Sequence, residues 1–162
     1  MNSKSEKTSS TSIDLPADVL EYLSGSLAVF KSICSFENSK QDFSLSTAEQ
    51  KAIEITVCET LDDQYWIDYQ MKSARRKGMT LAEILQIRIG LSKEVRIESL
   101  IAVSKSIVIN YQNINDQMID EFVLEGFSET EFLEIISLIN QQKMLIQFTH
   151  FWLMKNSSLT RH

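Results

Sequence analysis

Phe132, Ile135, Ile136 and Ile139 recur at i, i+3, i+4 and i+7, the spacing of one face of an α-helix, and predict a long helix toward the end of the chain. Its start is marked in the polar positions. Ser128 precedes Glu131 by three residues, so its hydroxyl can cap the first turn while the Glu carboxylate reaches back to the cap backbone. Ser46 with Glu49 and Thr80 with Glu83 repeat that pattern and predict two further helix starts. Asp62 or Asp63 opens a helix that runs through Trp66 and stops at Gly78, a residue that tolerates the left-handed conformation beyond a helix end. Asn115 or Asp116 caps a short helix ending near Gly126. Pro16 suits the start of a first helical stretch from about Ala17 into the low thirties, bent or split at Gly25. Residues 36–44 are polar and read as a loop.

Two segments carry a different period. Ile53-Glu54-Ile55-Thr56-Val57 alternates as a strand does, and Ile107-Val108-Ile109 is β-branched throughout. Both are assigned to helices, because a capping box opens the first and no turn signal brackets either. One proline and four glycines in 162 residues argue the same way, since a turn-rich all-β chain needs more of both. The expected fold is therefore all-α. Residues 1–12 carry almost nothing to bury and are expected to form a mobile tail. Residues 13–156 are expected to form a single domain, and residues 157–162 a flexible C-terminus.

Charge and cysteine count narrow the function classes. A net charge of −6 disfavours non-specific nucleic-acid binding. Cys34 and Cys58 are too few for a disulfide framework. No apolar run has the length of a membrane span and no apolar signal core opens the chain, so a cytoplasmic protein is expected. Two histidines without a nearby acid–His spacing give no zinc or iron site, and no cofactor is expected.

The stretch Leu45-Ser46-Thr47-Ala48-Glu49 through Ala74-Arg75-Arg76-Lys77-Gly78 carries a resemblance. It resembles the core of the carboxymuconolactone decarboxylase family, which includes the alkyl hydroperoxidase D branch. Members read roughly L-S-x-x-x-x-E, then C-x-x-C-x-x-x-H, then a basic A-R-R-x-G helix end. Counting back from Ala74-Arg75-Arg76-Lys77-Gly78 puts Gln70 on the His, Trp66 on the second Cys, Asp63 on the first and Lys51 on the Glu. Counting forward from Leu45-Ser46 reaches the same Lys51 without a gap. Glu125-Gly126-Phe127-Ser128 and the residues up to Ile136 are similar to the start of the family's last long helix. The run from Lys143 to Trp152, KMLIQFTHFW, is similar to the K-x-L-S-N-Y-x-N-H segment that follows, with Gln147 and Thr149 at the Asn positions and His150 retained. The resemblance covers roughly residues 45–154. It implies an alkyl hydroperoxidase D-like bundle of about six to eight helices that assembles with copies of itself, from dimer to hexamer. Phe148, Phe151, Trp152 and Met154 are the candidate interface.

The same resemblance implies that the family's dithiol chemistry is lost. A thiolate must attack the peroxide, a second thiol must resolve the sulfenic acid, and His and Glu must carry the protons. Asp63 offers a general base or ligand at most, Trp66 is redox-inert in this role, and Gln70 does not shuttle protons near neutral pH. Lys51, Asp63 and Gln70 are expected to face one another, either as a polar pocket for a small molecule or as a salt bridge and hydrogen bond filling the old reactive space. Trp66 is expected to plug that space. Cys34 and Cys58 read as small hydrophobes rather than relocated thiols. His150 sits in an apolar run and is expected at a core or subunit boundary, with an acid–base role as the other reading. Lys72, Arg75, Arg76 and Lys77 suit the C-terminal end of a helix dipole and need no phosphate to explain them. Small-molecule or partner binding is the expected activity. The alternatives are hydroperoxide reduction at an unusual site and the decarboxylase chemistry of the family's other branch.

Overall fold

The computed structural model describes residues 12–110 and 113–159. Among these described residues there are eight α-helices and no strand. In chain order they are α1 (Ala17–Leu23), α2 (Leu27–Ser39), α3 (Thr47–Thr60), α4 (Gln64–Arg76), α5 (Leu81–Arg88), α6 (Val95–Asn110), α7 (Asp116–Leu124) and α8 (Glu129–Leu159). A 3-10 turn at Lys40–Asp42 follows α2. The all-α expectation holds, and both strand-like segments lie inside helices, one in α3 and one in α6. Apart from Ser12, the predicted N-terminal tail lies outside the described residues. Of the predicted C-terminal one, residues 157–159 finish α8 and residues 160–162 lie outside.

The chain divides into two compact units at Asp42/Phe43. In the first, Pro16 stands at the start of α1, and the predicted break at Gly25 is a real interruption: Ser26 caps a new helix by accepting the Val29 N–H at 3.4 Å. The loop expected at residues 36–44 begins only after Ser39. Local bonds carry α2 onward, with Ser39 Oγ donating to the Phe36 carbonyl at 2.7 Å and Lys40 pairing with Glu37 at 3.0 Å. Composition alone reads these polar residues as loop, but their i, i+3 partners hold the helical turn.

The second unit is built around α3. Every residue from Glu49 to Cys58 is buried, because α4, α5, α6 and α8 all pack against this helix. That is why its sequence lacks a clear amphipathic stripe and can be mistaken for a strand: a helix surrounded on all sides has no solvent face to mark with polar residues. Ala52 and Ile55 of α3 meet Ala74, Met79, Ile84, Ile87, Ile97 and Ile101 in one apolar cluster. The predicted caps form. Ser46 with Glu49 and Thr80 with Glu83 make complete capping boxes, and Ser128 with Glu131 exchanges the same pair of bonds. Asp63 caps α4 and Asn115 caps α7. Beyond α4, Gly78 adopts φ 95°, the left-handed backbone that ends a helix without steric cost only for glycine.

Arg96 joins two of the capping boxes. Its Nε donates to Glu49 Oε1 at 2.5 Å, its Nη2 donates to Glu131 Oε1, and its guanidinium lies 4.6 Å from the centre of the Phe127 ring. Each Glu therefore gives one oxygen to its own helix start and the other to Arg96. Burial pulls the Glu131 carboxyl upward, but the Ser128 N–H and the Arg96 charge outweigh it and hold it below its ordinary 4.5. A lowered folded-state value means the stabilisation is fully present above 4.5 and is lost as pH falls through that lowered value. Arg96→Met should therefore flatten the acid limb of a stability–pH curve measured by denaturant unfolding. A limb as steep as wild type would count against the clamp.

Candidate functional site

Helices α3, α4 and α8 bring the five candidate residues to one region of the second unit. Lys51 faces inward from α3, and its ammonium lies 2.6 Å from Glu54 Oε2 and 2.7 Å from Gln70 Oε1 on α4. Gln70 in turn donates through Nε2 to Gln142 Oε1 on α8 at 2.8 Å. A continuous polar chain, Glu54–Lys51–Gln70–Gln142, thus crosses the interior through three helices, and all four side chains are buried. At its far end Gln142 Nε2 has no hydrogen-bond partner among the described residues, which costs free energy in a site this enclosed.

Asp63 and His150 form a second group. Asp63 Oδ1 accepts the Trp66 N–H at 2.9 Å as the cap of α4, while Oδ2 lies 2.7 Å from His150 Nε2. A carboxylate only accepts, so the imidazole donates. The two partners differ in setting: the Asp63 side chain is 5 % exposed and that of His150 is 59 % exposed. His150, expected at a core or subunit boundary, is therefore a surface imidazole within the chain, anchored at one nitrogen to a buried acid. Trp66 completes the region. It is 0 % exposed, and its Nε1 donates to Thr149 Oγ1 on α8 at 2.9 Å. Thr149 spends its own hydroxyl proton on the carbonyls of Leu145 and Ile146. The rings of Tyr65 and Tyr69 stand edge-on to the indole, each with its centroid 5.7 Å away.

Lys51 and Gln70 thus meet directly, Asp63 pairs with His150, and Trp66 stands between the pairs with its ring packed into the helices. The one cysteine of this unit, Cys58, does not join them as a reactive thiol. Cys58 is fully buried, and burial first, then the Glu54 and Asp63 carboxylates, push its thiol well up, with Lys51 opposing. Cys34 belongs to the first unit, and burial and Glu37 raise its thiol too. Among the described residues, no group of three or more His, Cys, Asp or Glu is arranged to hold a metal ion. No described helix is long and apolar enough to cross a membrane.

Glu54 and Gln142 escape a reading of motifs alone, and so does the bond that Trp66 makes to Thr149. A signal for Gln142 and Thr149 exists. Ile135, Gln142 and Thr149 are seven residues apart in succession, so two polar residues fall on the buried stripe of α8. Polar residues at stripe positions must find partners inside, and Thr149 and the Gln142 amide oxygen do. The basic cluster behaves as its position predicts: Arg75 Nη1 bonds the Met79 carbonyl at 3.0 Å, and Arg76 lies 5.5 Å from the Tyr69 ring centre.

Open space lies elsewhere in this unit. A cleft of about 640 Å3 is walled by α6, α7 and the first turns of α8, with Ile107, Phe122 and Phe132 among its apolar residues and Glu98, Glu121 and Glu125 among its polar ones. No motif announced it, because its walls are assembled from three different helices. No protein-family model matches the chain, and no curated protein matches it at a significant level.

Proposed function

We propose that this chain is a carboxymuconolactone decarboxylase-like, alkyl hydroperoxidase D-like helical protein that has no dithiol peroxidase activity and acts by binding a small molecule. The observation that carries this reading is the joint geometry of the relay seats. The four positions matched to the family's Glu, Cys, Cys and His lie together, yet Lys51, Asp63, Trp66 and Gln70 fill them with an ion pair, a cap, an indole and an amide. A peroxide needs an accessible low-pKa thiolate, and Cys58 is the opposite on both counts. The α6–α7–α8 cleft is the binding site in this reading, since its volume falls in the range of small-molecule pockets. The protein is cytoplasmic and self-associates through the end of α8, where Phe151 and Met154 are 64 % and 71 % exposed.

Two measurements test the loss of thiol chemistry. With an organic hydroperoxide and a dithiol reductant, the purified protein should give no turnover above buffer. With iodoacetamide at pH 7.5, Cys34 should label in the native protein and Cys58 only after unfolding. Peroxide turnover that Cys58→Ser abolishes would overturn the reading.

A further inference from the structure

The cleft walls specify more than a generic ligand. Ile107 and Phe122 are buried at its floor and Phe132 is half-buried beside them, while Ile114 and Ile119 leave apolar surface open at its edge. An apolar body of drug-like size fits such a lining. The charged groups that line it have one sign. Glu98, Glu121 and Glu125 line the cleft, and none of them pairs with a cation among the described residues. Their partners are neutral: Ser99 Oγ donates to Glu125 Oε2 at 2.9 Å, and Gln117 Nε2 donates to Glu121 Oε1 at 3.0 Å.

The three carboxylates are not equivalent. Glu98 lies in the first turn of α6, where the positive end of the helix dipole offsets its charge. Glu121 and Glu125 lie at the opposite end of their helix. Glu121 is in the last turn of α7 and Glu125 is its C-cap residue, so the dipole's negative end adds to both charges. The Ser99 bond fixes the Glu125 carboxylate in place across α6 and α7. A cation held there is neutralised by two acids and a helix terminus at once. A bound metal ion is the weaker match, because no cluster of three metal-ligating side chains forms among the described residues.

We infer that the α6–α7–α8 cleft binds an amphipathic organic cation, with its apolar body against Phe122, Phe132 and Ile107 and its protonated amine at Glu121 and Glu125. This rests on the reading that the protein binds a small molecule in this cleft. An anion or a neutral apolar molecule of equal size gains the floor but not the rim, and an anion is repelled by it. Charge sign is therefore the discriminating property.

The test uses the full chain and two fluorescent probes of similar aromatic body: N-(1-naphthyl)ethylenediamine as the cation and 1-anilinonaphthalene-8-sulfonate as the anion. The cation should bind saturably at one site, more tightly than the anion. Glu121→Gln with Glu125→Gln should weaken the cation about tenfold and leave the anion unchanged or tighter. Both side chains are exposed, so thermal unfolding of that double variant should match wild type. Ala102→Trp, on an exposed wall position, should block the cleft for both probes. Equal or tighter binding of the anion by wild type, or cation binding indifferent to the Gln pair, would overturn the cationic class while leaving the cleft as a binding site if Ala102→Trp still abolishes it. Binding of either probe indifferent to Ala102→Trp, or of neither probe at all, would remove the cleft reading itself. Displacement of the amine by Mg2+ or Ca2+ alone at low millimolar concentration would assign the rim to a metal ion and overturn the proposal.

Discussion

Glu54→Leu should destabilise the protein by about 3–5 kcal/mol, measured as a shift of the urea unfolding midpoint. The reason is the setting of Lys51, a residue 1 % exposed whose ammonium faces the Glu54 carboxylate at 2.6 Å. Removing that carboxylate leaves a cation inside a helix bundle with its nearest counter-charge gone. Lys51→Met should cost a similar amount for the mirror-image reason, since Glu54 is itself 3 % exposed. Replacing both, as Lys51→Met with Glu54→Leu, should recover much of the loss. A buried ion pair roughly breaks even against apolar residues of similar volume, because desolvation offsets its Coulomb gain. Recovery should stop short of wild type. Gln70 Oε1 loses the Nζ donor at 2.7 Å in the double variant, at a cost of roughly 1–3 kcal/mol for an unsatisfied buried acceptor. The expected order is therefore either single variant lowest, the double variant between, and wild type highest. A single variant costing under about 1 kcal/mol would mean that water reaches Lys51.

This network shows where sequence reasoning reaches and where it stops. The caps at Ser46, Asp63, Thr80, Asn115 and Ser128 are local: each needs one side chain and a backbone N–H within three residues, so spacing predicts three of them outright and narrows the other two to Asp62 or Asp63 and Asn115 or Asp116. The ends of α4 and α7 are legible for the same reason, in Gly78 and Gly126. Pairings across helices are not local. Nothing near Gln70 in sequence points to Gln142, and nothing near Trp66 points to Thr149, because those contacts depend on how α8 lies along α3 and α4. The resemblance gathered Lys51, Asp63, Trp66 and Gln70 into one neighbourhood by position. It anticipated that Lys51 and Gln70 would meet but not that Asp63 would pair with His150, and the apolar run around His150 does not reveal how exposed that residue is. A run of Phe and Trp reports average burial, whereas a helix residue's exposure depends on its angle, and His150 lies just off the stripe that buries Thr149.

Trp66→Ala should cost about 3–5 kcal/mol, as expected for truncating a large, fully enclosed aromatic side chain. Two contributions make up the loss and can be separated. Trp66→Phe keeps most of the apolar volume but deletes the Nε1–H donated to Thr149 at 2.9 Å. Thr149 still has its own donor contacts to Leu145 and Ile146, so the hydrogen-bond share should be small, about 0.5–1.5 kcal/mol. The remainder of the alanine cost belongs to the cavity. That cavity would open between Tyr65, Tyr69 and α8, beside the Asp63–His150 pair, at the seat matched to a reactive cysteine. An enclosed space of indole size should take up indole itself, so millimolar indole should raise the unfolding temperature of Trp66→Ala and leave wild type unmoved. Rescue by indole would identify Trp66 as the group that fills this space, because only a retained cavity can be refilled. If Trp66→Ala instead loses under about 1 kcal/mol and ignores indole, the helices collapse onto the gap. The indole is then ordinary packing, with no cavity behind it to close.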